Sequence, residues 1–594
     1  MYQLKQSTLL ICISLFLSAC ATNKGDFGLE DVHAPQSEPQ KPKFQDEKTQ
    51  PRTEEEVSAF MQPGLGASIE IPRRGTGLAG TLSEERVALT PENIKRIGGD
   101  LEIPYVEDIK NHNKYTGSLI HSHDNSAGDH RKRDLKYVRS GWVADANVGL
   151  DIVNGDFGNG ITRKVLFGSI GHVYYKGVQP AQAFPAAGKA TYKGTWDFVT
   201  DARQGRAGTG FTGTAANVGS NYGAVSFNEY DSIHTDKSTG EVGHSSELEV
   251  DFANKSLTGT LYKNHKKLAD KAQERTPRYK VKADIKGNRF QGRVEAGNKD
   301  DLYFGKDGNL EGGFFGPAAE ELAGKFLADD NSLFGVLAGK REKAADEKTD
   351  KIIDAYHIDF KNLNLTQADN FGDARKFVFK GQTFSLLPAA GTDTKSFLET
   401  LKYALDGNRT LNLFSCCSNL DYLKFGTFQT AAGEDKDGAS FFFQGERTPV
   451  KDIPTGTAHY KGSWQAHIIS KTGHIWSESP NNKEGGSRAE FDVDFGAKTL
   501  KGKLTAQDRA LPTFNIHAQI EGNGFTGRAK TRDQGFILDP GSTANSVSVH
   551  LDAEVKGGFY GPKAAELGGV FHSNEEGKDK VGGSFGAKRQ ISVQ

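Results

Sequence analysis

Wherever this chain has a regular pattern, apolar and polar residues alternate with a period of two. In Glu247-Leu248-Glu249-Val250-Asp251-Phe252 the apolar residues take every second place, and Glu490 to Phe495 repeats the arrangement. Successive side chains of an extended backbone point to opposite faces. Leu248, Val250 and Phe252 therefore share one face and three carboxylates the other, whereas a helix would scatter them around its axis. Val281, Ala283 and Ile285 continue the alternation, and Gly-Asn at 287–288 and again at 522–523 supplies turn chemistry between strands. One-faced meanders of this kind predict antiparallel sheet that finishes as a closed barrel or sandwich, because closure removes exposed edges. The outward acids read as a solvated face rather than as paired catalytic carboxylates.

The pattern is written twice. GGFFGPAAEELAGKF at 312–326 matches GGFYGPKAAELGGVF at 557–571 in ten of fifteen positions, and SELEVDFANKSLTGTL at 246–261 matches AEFDVDFGAKTLKGKL at 489–504 in eight of sixteen. ADIKGNRFQGRV at 283–294 parallels AQIEGNGFTGRA at 518–529, and ATYKGTW at 190–196 parallels AHYKGSW at 458–464. The order of segments is the same in both copies, so the chain carries two homologous lobes. A less regular half-lobe precedes each meander, with short alternations such as Lys164-Val165-Leu166-Phe167 and Phe377-Val378-Phe379 between polar loops. The resulting division is 56–175 and 176–342 for the first lobe, a charged exposed linker at 343–351, then 352–445 and 446–594 for the second.

The amino terminus predicts an address. Residues 1–19 have a basic Lys5 and an apolar run from Leu9 to Leu17 too short to span a bilayer. Leu17-Ser18-Ala19-Cys20 resembles a bacterial lipobox, which implies cleavage before Cys20 and acylation of it. Several acyl chains at ~0.8 kcal/mol per buried CH₂ hold far better than one. Ala21 and Thr22 are not the Asp of an inner-membrane retention signal, so the expected location is the outer membrane. Residues 20–55 are rich in Pro, Gln, Glu and Lys and read as a flexible tether that cannot bury enough surface to offset its ordering entropy.

Composition narrows the function. Among 594 residues there are 70 Gly and 37 Phe, which suits short strands, tight turns and small aromatic cores, while 4 Cys exclude a disulfide scaffold. With 74 basic and 76 acidic residues the chain has no electrostatic footprint for nucleic acid. No GxSxG, HExxH, Walker A or dinucleotide fingerprint stands in a credible context, so no enzyme and no cofactor is expected. His112, His121, His123 and His130 lie in segments that read as loop, without the spacing of a metal site.

Lipobox, tether, the duplicated GGFFGPxAxELxG segment, SCCSNLDYLKFGTF at 415–428 and SFFFQGERTP at 440–449 together resemble the transferrin-binding protein B family, over essentially the whole mature chain. The resemblance implies a bilobed, mainly β molecule, each lobe a β-rich handle domain followed by an eight-stranded antiparallel β-barrel. It also implies surface exposure, capture of iron-loaded host transferrin chiefly by the N-lobe, and delivery to a TonB-dependent outer-membrane channel. The alternative is a related handle-and-barrel surface lipoprotein that binds another host ligand, such as lactoferrin, haemoglobin or a complement regulator. Lactoferrin binders carry long acidic runs, whereas the longest here is Glu54-Glu55-Glu56.

Interface hot spots favour Tyr, Trp and Arg with apolar neighbours. Tyr174-Tyr175, aligned with Phe442-Phe443, hints at a partly wet site, although alternation places one of each pair in the core. Phe184, Tyr222 in a Gly-Ser-Asn-Tyr-Gly turn, and Phe60-Met61 just after the tether complete the candidate ligand contacts. With Cys12 removed and Cys20 lipidated, Cys416 and Cys417 remain; a strained bridge between them is expected in preference to two free thiols, because neither has another intramolecular partner.

Overall fold

The computed structural model describes residues 43–46 and 64–593 apart from internal stretches, the longer of which are 78–86, 123–134, 203–224 and 227–242. Cys20, Phe60, Met61, Tyr222, His123 and His130 lie outside the described residues.

The alternating segments form two closed barrels. In the N-lobe, strands Lys189–Thr200, His244–Asp251, Ser256–Asn264, Arg275–Lys286, Arg289–Ala296, Gly308–Phe315, Glu321–Ala328 and Leu333–Arg341 pair in sequence, and the first closes on the last. The C-lobe repeats this with Thr457–Ile469, Arg488–Asp494, Thr499–Thr505, Phe514–Glu521, Gly524–Lys530, Asp552–Tyr560, Glu566–Ser573 and Lys580–Val593, closed between Thr457–Ile469 and Lys580–Val593. Leu248, Val250, Val281, Ala283 and Ile285 are buried, as their period requires.

Repeated residues do repeated work inside the barrels. The indole N–H of Trp196 donates to the Tyr262 carbonyl (2.9 Å) and that of Trp464 to the Thr505 carbonyl (3.0 Å). The hydroxyls of Tyr192 and Tyr460 donate to the carbonyls of Ala319 and Ala564, at 2.5 and 2.7 Å. The glycine of YKGTW and YKGSW is obligatory: a Cβ on Gly194 would lie 2.1 Å from the Ala338 oxygen, and one on Gly462 would lie 2.0 Å from the Gly586 oxygen. Gly287 and Gly522 both open two-residue hairpins at φ 57°, the left-handed region such turns demand.

Each half-lobe is a sheet laid on its barrel. The N-lobe handle orders Lys95–Ile97, Gly66–Glu70, Gly171–Gly177, Val138–Asp145 and Leu119–His121, with a smaller sheet of Arg74–Gly77, Arg163–Gly168 and Gly149–Asn154. The C-lobe handle orders Leu365–Gln367, Ile353–Asp359, Ser440–Glu446, Leu423–Ala431, Thr410–Cys416 and Leu398–Ala404.

Three sequence expectations shift. Strand Gly171–Gly177 belongs to the handle sheet and the barrel begins at Lys189, so the change of domain falls after 177 rather than at 175. The linker over 343–351 is not wholly an exposed run, since Thr349–Lys351 pairs with Ala183–Pro185. Asp46, inside the expected free tether, accepts hydrogen bonds from the side chains of Asn419 (2.8 Å) and Gln590 (2.6 Å).

Candidate functional site

The N-lobe handle carries most of the candidate ligand contacts, and both faces of its sheet are covered. On one face Ile69, Val173 and Tyr175 pack with Phe315, Phe334 and Val336 of the barrel. On the other, Tyr174 and Val143 pack under Ile109 of the short helix Val106–Lys110. Tyr174 and Tyr175 are consequently 0 % and 1 % exposed, and the expectation of a partly wet pair is corrected. Alternation divides the pair between two faces, but it does not say that a second layer covers each. Phe184 is also taken off the surface: it sits in the barrel core, 4.7 Å from the Phe252 ring and 5.2 Å from that of Phe314. Phe60, Met61 and Tyr222 lie outside the described residues.

Among the described residues of this handle, the segment from 91 to 117 forms an accessible outer layer. Tyr105 enters its helix at φ 63° and stacks on His172, ring centres 3.8 Å apart, while its hydroxyl lies 2.7 Å from that of Ser68. Burial, and then the nearby Lys95 charge, hold the His172 pKa down to about 4, so the ring is neutral under the layer. Asp145 accepts from the backbone N–H and hydroxyl of Thr116 (2.8 and 2.6 Å), and Lys176 pairs with Asp100 at 2.7 Å. Glu92, Lys95, Arg96, Glu102, Glu107 and Lys110 are exposed on the outside. The layer is thus a pinned, mixed-charge surface.

The chemistry elsewhere is structural. Among the described residues no group of three His, Cys, Asp or Glu could hold a metal ion. His121 ends a short strand rather than lying in a loop. Burial raises the pKa of Glu321 and Glu566, which superficially resembles an activated acid. Each instead accepts backbone N–H groups of its handle: Lys136 and Tyr137 for Glu321 (2.7 and 2.8 Å), and Asp421, Tyr422 and Leu423 for Glu566 (2.7, 2.9 and 3.0 Å). These two residues are equivalent glutamates of the duplicated segment, and sequence reasoning passed over them. The signal was there, since an acid inside a repeated apolar motif calls for a buried partner.

The motifs that carried the resemblance build the same joints. Asp421, Tyr422 and Leu423 of SCCSNLDYLKF are the donors to Glu566. In QGERTP, Arg447 pairs with Asp354 (2.5 Å) and the Thr448 hydroxyl donates to the Gly561 carbonyl (2.5 Å). Cys416 and Cys417 are linked by a disulfide and buried in the C-lobe seam between handle and barrel.

Comparison with known proteins follows this geometry segment by segment. The model of "N-Lobe handle Tf-binding protein B" matches residues 43–181, that of "C-lobe and N-lobe beta barrels of Tf-binding protein B" matches 184–341 and 453–589, and that of "C-lobe handle domain of Tf-binding protein B" matches 350–448. The chain belongs to the transferrin-binding protein B family. A transferrin-binding protein B of Neisseria meningitidis serogroup B is 39% identical over 606 residues, covering 97% of each chain. One from Moraxella catarrhalis is 37% identical over 519 residues, 80% of this chain and 70% of that one. The crystal structure of the isotype 1 protein from serogroup B N. meningitidis superposes with a TM-score of 0.75 at 38% identity, covering 89% of this chain and all of that one.

Proposed function

We propose that this chain is a surface lipoprotein of the outer membrane, anchored through acylated Cys20, that captures iron-loaded host transferrin mainly through its N-lobe and presents it to a TonB-dependent channel. It acts as a binding protein, not an enzyme. The observation that carries this reading is the match of both lobes, handle and barrel alike, to the transferrin-binding protein B family. The pinned outer layer of the N-lobe handle over 91–117 supports it, because a rigid template discriminates between shapes of its ligand. Preference between two states of a ligand cannot exceed the difference in its interactions with them. Transferrin lobes close around iron and open without it, so a rigid surface touching both halves of one closed lobe favours the loaded form. Losing half of a ~1,600 Å² interface weakens binding on the order of a hundredfold.

The mature protein should therefore recover transferrin from host serum. Calorimetry should give a much larger Kd for the iron-free form, with no iron bound by the receptor itself. Recovery of lactoferrin, haemoglobin or a complement regulator in its place, or equal constants for the two forms, overturns the reading. Cys20→Ala should remove the protein from the outer-membrane fraction; acylated protein persisting in that variant refutes the anchor.

A further inference from the structure

One loop of the C-lobe handle completes the core of the N-lobe. Phe371 and Val378 are buried in the cluster that otherwise joins the N-lobe handle strands to the N-lobe barrel. The loop is stiff from within: the Asn370 side chain accepts the N–H groups of Gly372 (2.7 Å) and Asp373 (3.1 Å) and donates to the Lys376 carbonyl (3.1 Å). Its own lobe supports it from behind, where Gln444 donates to the carbonyls of Ala374 and Lys376 (2.5 and 3.0 Å) and Glu446 accepts the Ala374 N–H (3.0 Å).

In front, the loop is tied to the other lobe. Asn288 donates to the Asn370 carbonyl at 2.8 Å and Gln182 to the Ala368 carbonyl at 3.0 Å. Gly287 and Gly372 meet backbone to backbone, so that a Cβ on either would lie 2.5 Å from the other residue's backbone. Arg289 receives this contact. Its guanidinium lies 5.4 Å from the centre of the Phe371 ring and donates to the Gly64 carbonyl at 3.1 Å, just before strand Gly66–Glu70. Its charge also acts on the hydroxyl of Tyr175 on strand Gly171–Gly177, a residue buried in the same cluster as Phe371.

We infer that the Phe371 loop is a positioning element for the N-lobe: it seats Arg289, and through Arg289 fixes the two central handle strands on the barrel, so that capture by the N-lobe depends on a residue of the C-lobe. The ligand half of this inference rests on the function proposed above; the mechanical half does not. Phe371→Ala in the full-length mature protein should speed hydrogen exchange in 66–70 and 171–177, leave exchange in Thr499–Thr505 of the C-lobe barrel unchanged, and raise the Kd for iron-loaded transferrin about tenfold. Phe371→Leu should restore both. Unchanged exchange in the two N-lobe strands overturns the inference, as does faster exchange there with unchanged affinity. Should Phe371→Ala also loosen Thr499–Thr505, Gln182→Ala takes its place, with smaller changes in the same direction expected and no change overturning it. If the unaltered protein fails to bind transferrin, the proposed function falls and the exchange measurement alone decides the mechanical claim.

Discussion

The seam between handle and barrel is built oppositely in the two lobes. Strand register makes Phe334, Ala338 and Ala323 of the N-lobe barrel equivalent to Gly582, Gly586 and Gly568 of the C-lobe barrel. In the N-lobe the barrel supplies large side chains, Phe334 and Val336 among them, to the handle sheet. In the C-lobe the barrel is bare at these three positions, and handle side chains fill the space there: Leu423 and Phe425 stand 2.7 and 2.8 Å from where a Cβ on Gly586 would be, and Ile358 2.6 Å from one on Gly582. The polar content differs as well. Leu65 and Phe315 of the N-lobe correspond to Asp354 and Tyr560 of the C-lobe, where the Tyr560 hydroxyl donates to Asp354 at 2.7 Å and Arg447 and Lys351 pair with the same carboxylate. Duplication preserved the joint while exchanging, at these positions, which partner provides the bulk. Close packing constrains only the sum of the two sides.

The largest effect expected on this comparison is at the charge network confined to the C-lobe. Arg447 holds the buried Asp354 carboxylate well below the usual range, with Lys351 assisting. Arg447→Met should destabilise the C-lobe by ~3–5 kcal/mol in denaturant unfolding, because it leaves a buried charge short of its main partner. A loss below about 1 kcal/mol would show that the network is dispensable.

Next come the inverted knobs. Phe334→Ala should cost ~3–5 kcal/mol in the N-lobe by opening a cavity. The equivalent C-lobe change, Gly582→Ala, should cost ~1–3 kcal/mol for the opposite reason, overpacking against Ile358. Stabilisation by Gly582→Ala would mean that the C-lobe seam has slack.

The handles should also respond to pH with assignable signs. Burial holds His357 down to about 4, so its contribution is complete above its unfolded pKa of 6.5 and is lost as pH falls towards 4, up to ~3 kcal/mol. His172 acts the same way in the N-lobe. Glu446 runs opposite: burial and then Asp373 raise it to about 7, so its contribution is complete below 4.5 and is lost as pH rises through 7. His357→Phe should flatten the acid limb of C-lobe melting, and Glu446→Gln should steepen it; identical profiles for both variants and the natural protein would contradict the assignment. Smallest is Tyr560→Phe, worth about 1.5 kcal/mol for one hydrogen bond to a charged group. The reciprocal Phe315→Tyr should not stabilise the N-lobe, where Leu65 replaces the acid.

Much of the fold was legible. Period-two alternation located the barrel strands, and the ordered repeats announced two lobes of one plan. The candidate site was far less so. Tyr174 and Tyr175 resemble hot spots in composition, yet they lie under separate layers contributed by the helix at 106–110 and the barrel. The motifs most diagnostic of the family proved to be joints within the molecule, because a buried hydrogen-bonded junction demands particular side chains, as Glu566 and Arg447 do.

By itself, the sequence determined which residues share a face and which segments are copies of one another. Both are consequences of local geometry, since side-chain direction in a strand depends only on position along it. What covers each face was decided by tertiary structure alone. Phe371 meets Arg289 from 82 positions away, and nothing in either neighbourhood announces the other. Whether a seam takes its bulk from barrel or handle depends on two surfaces filling one space, and only their contact specifies that sum.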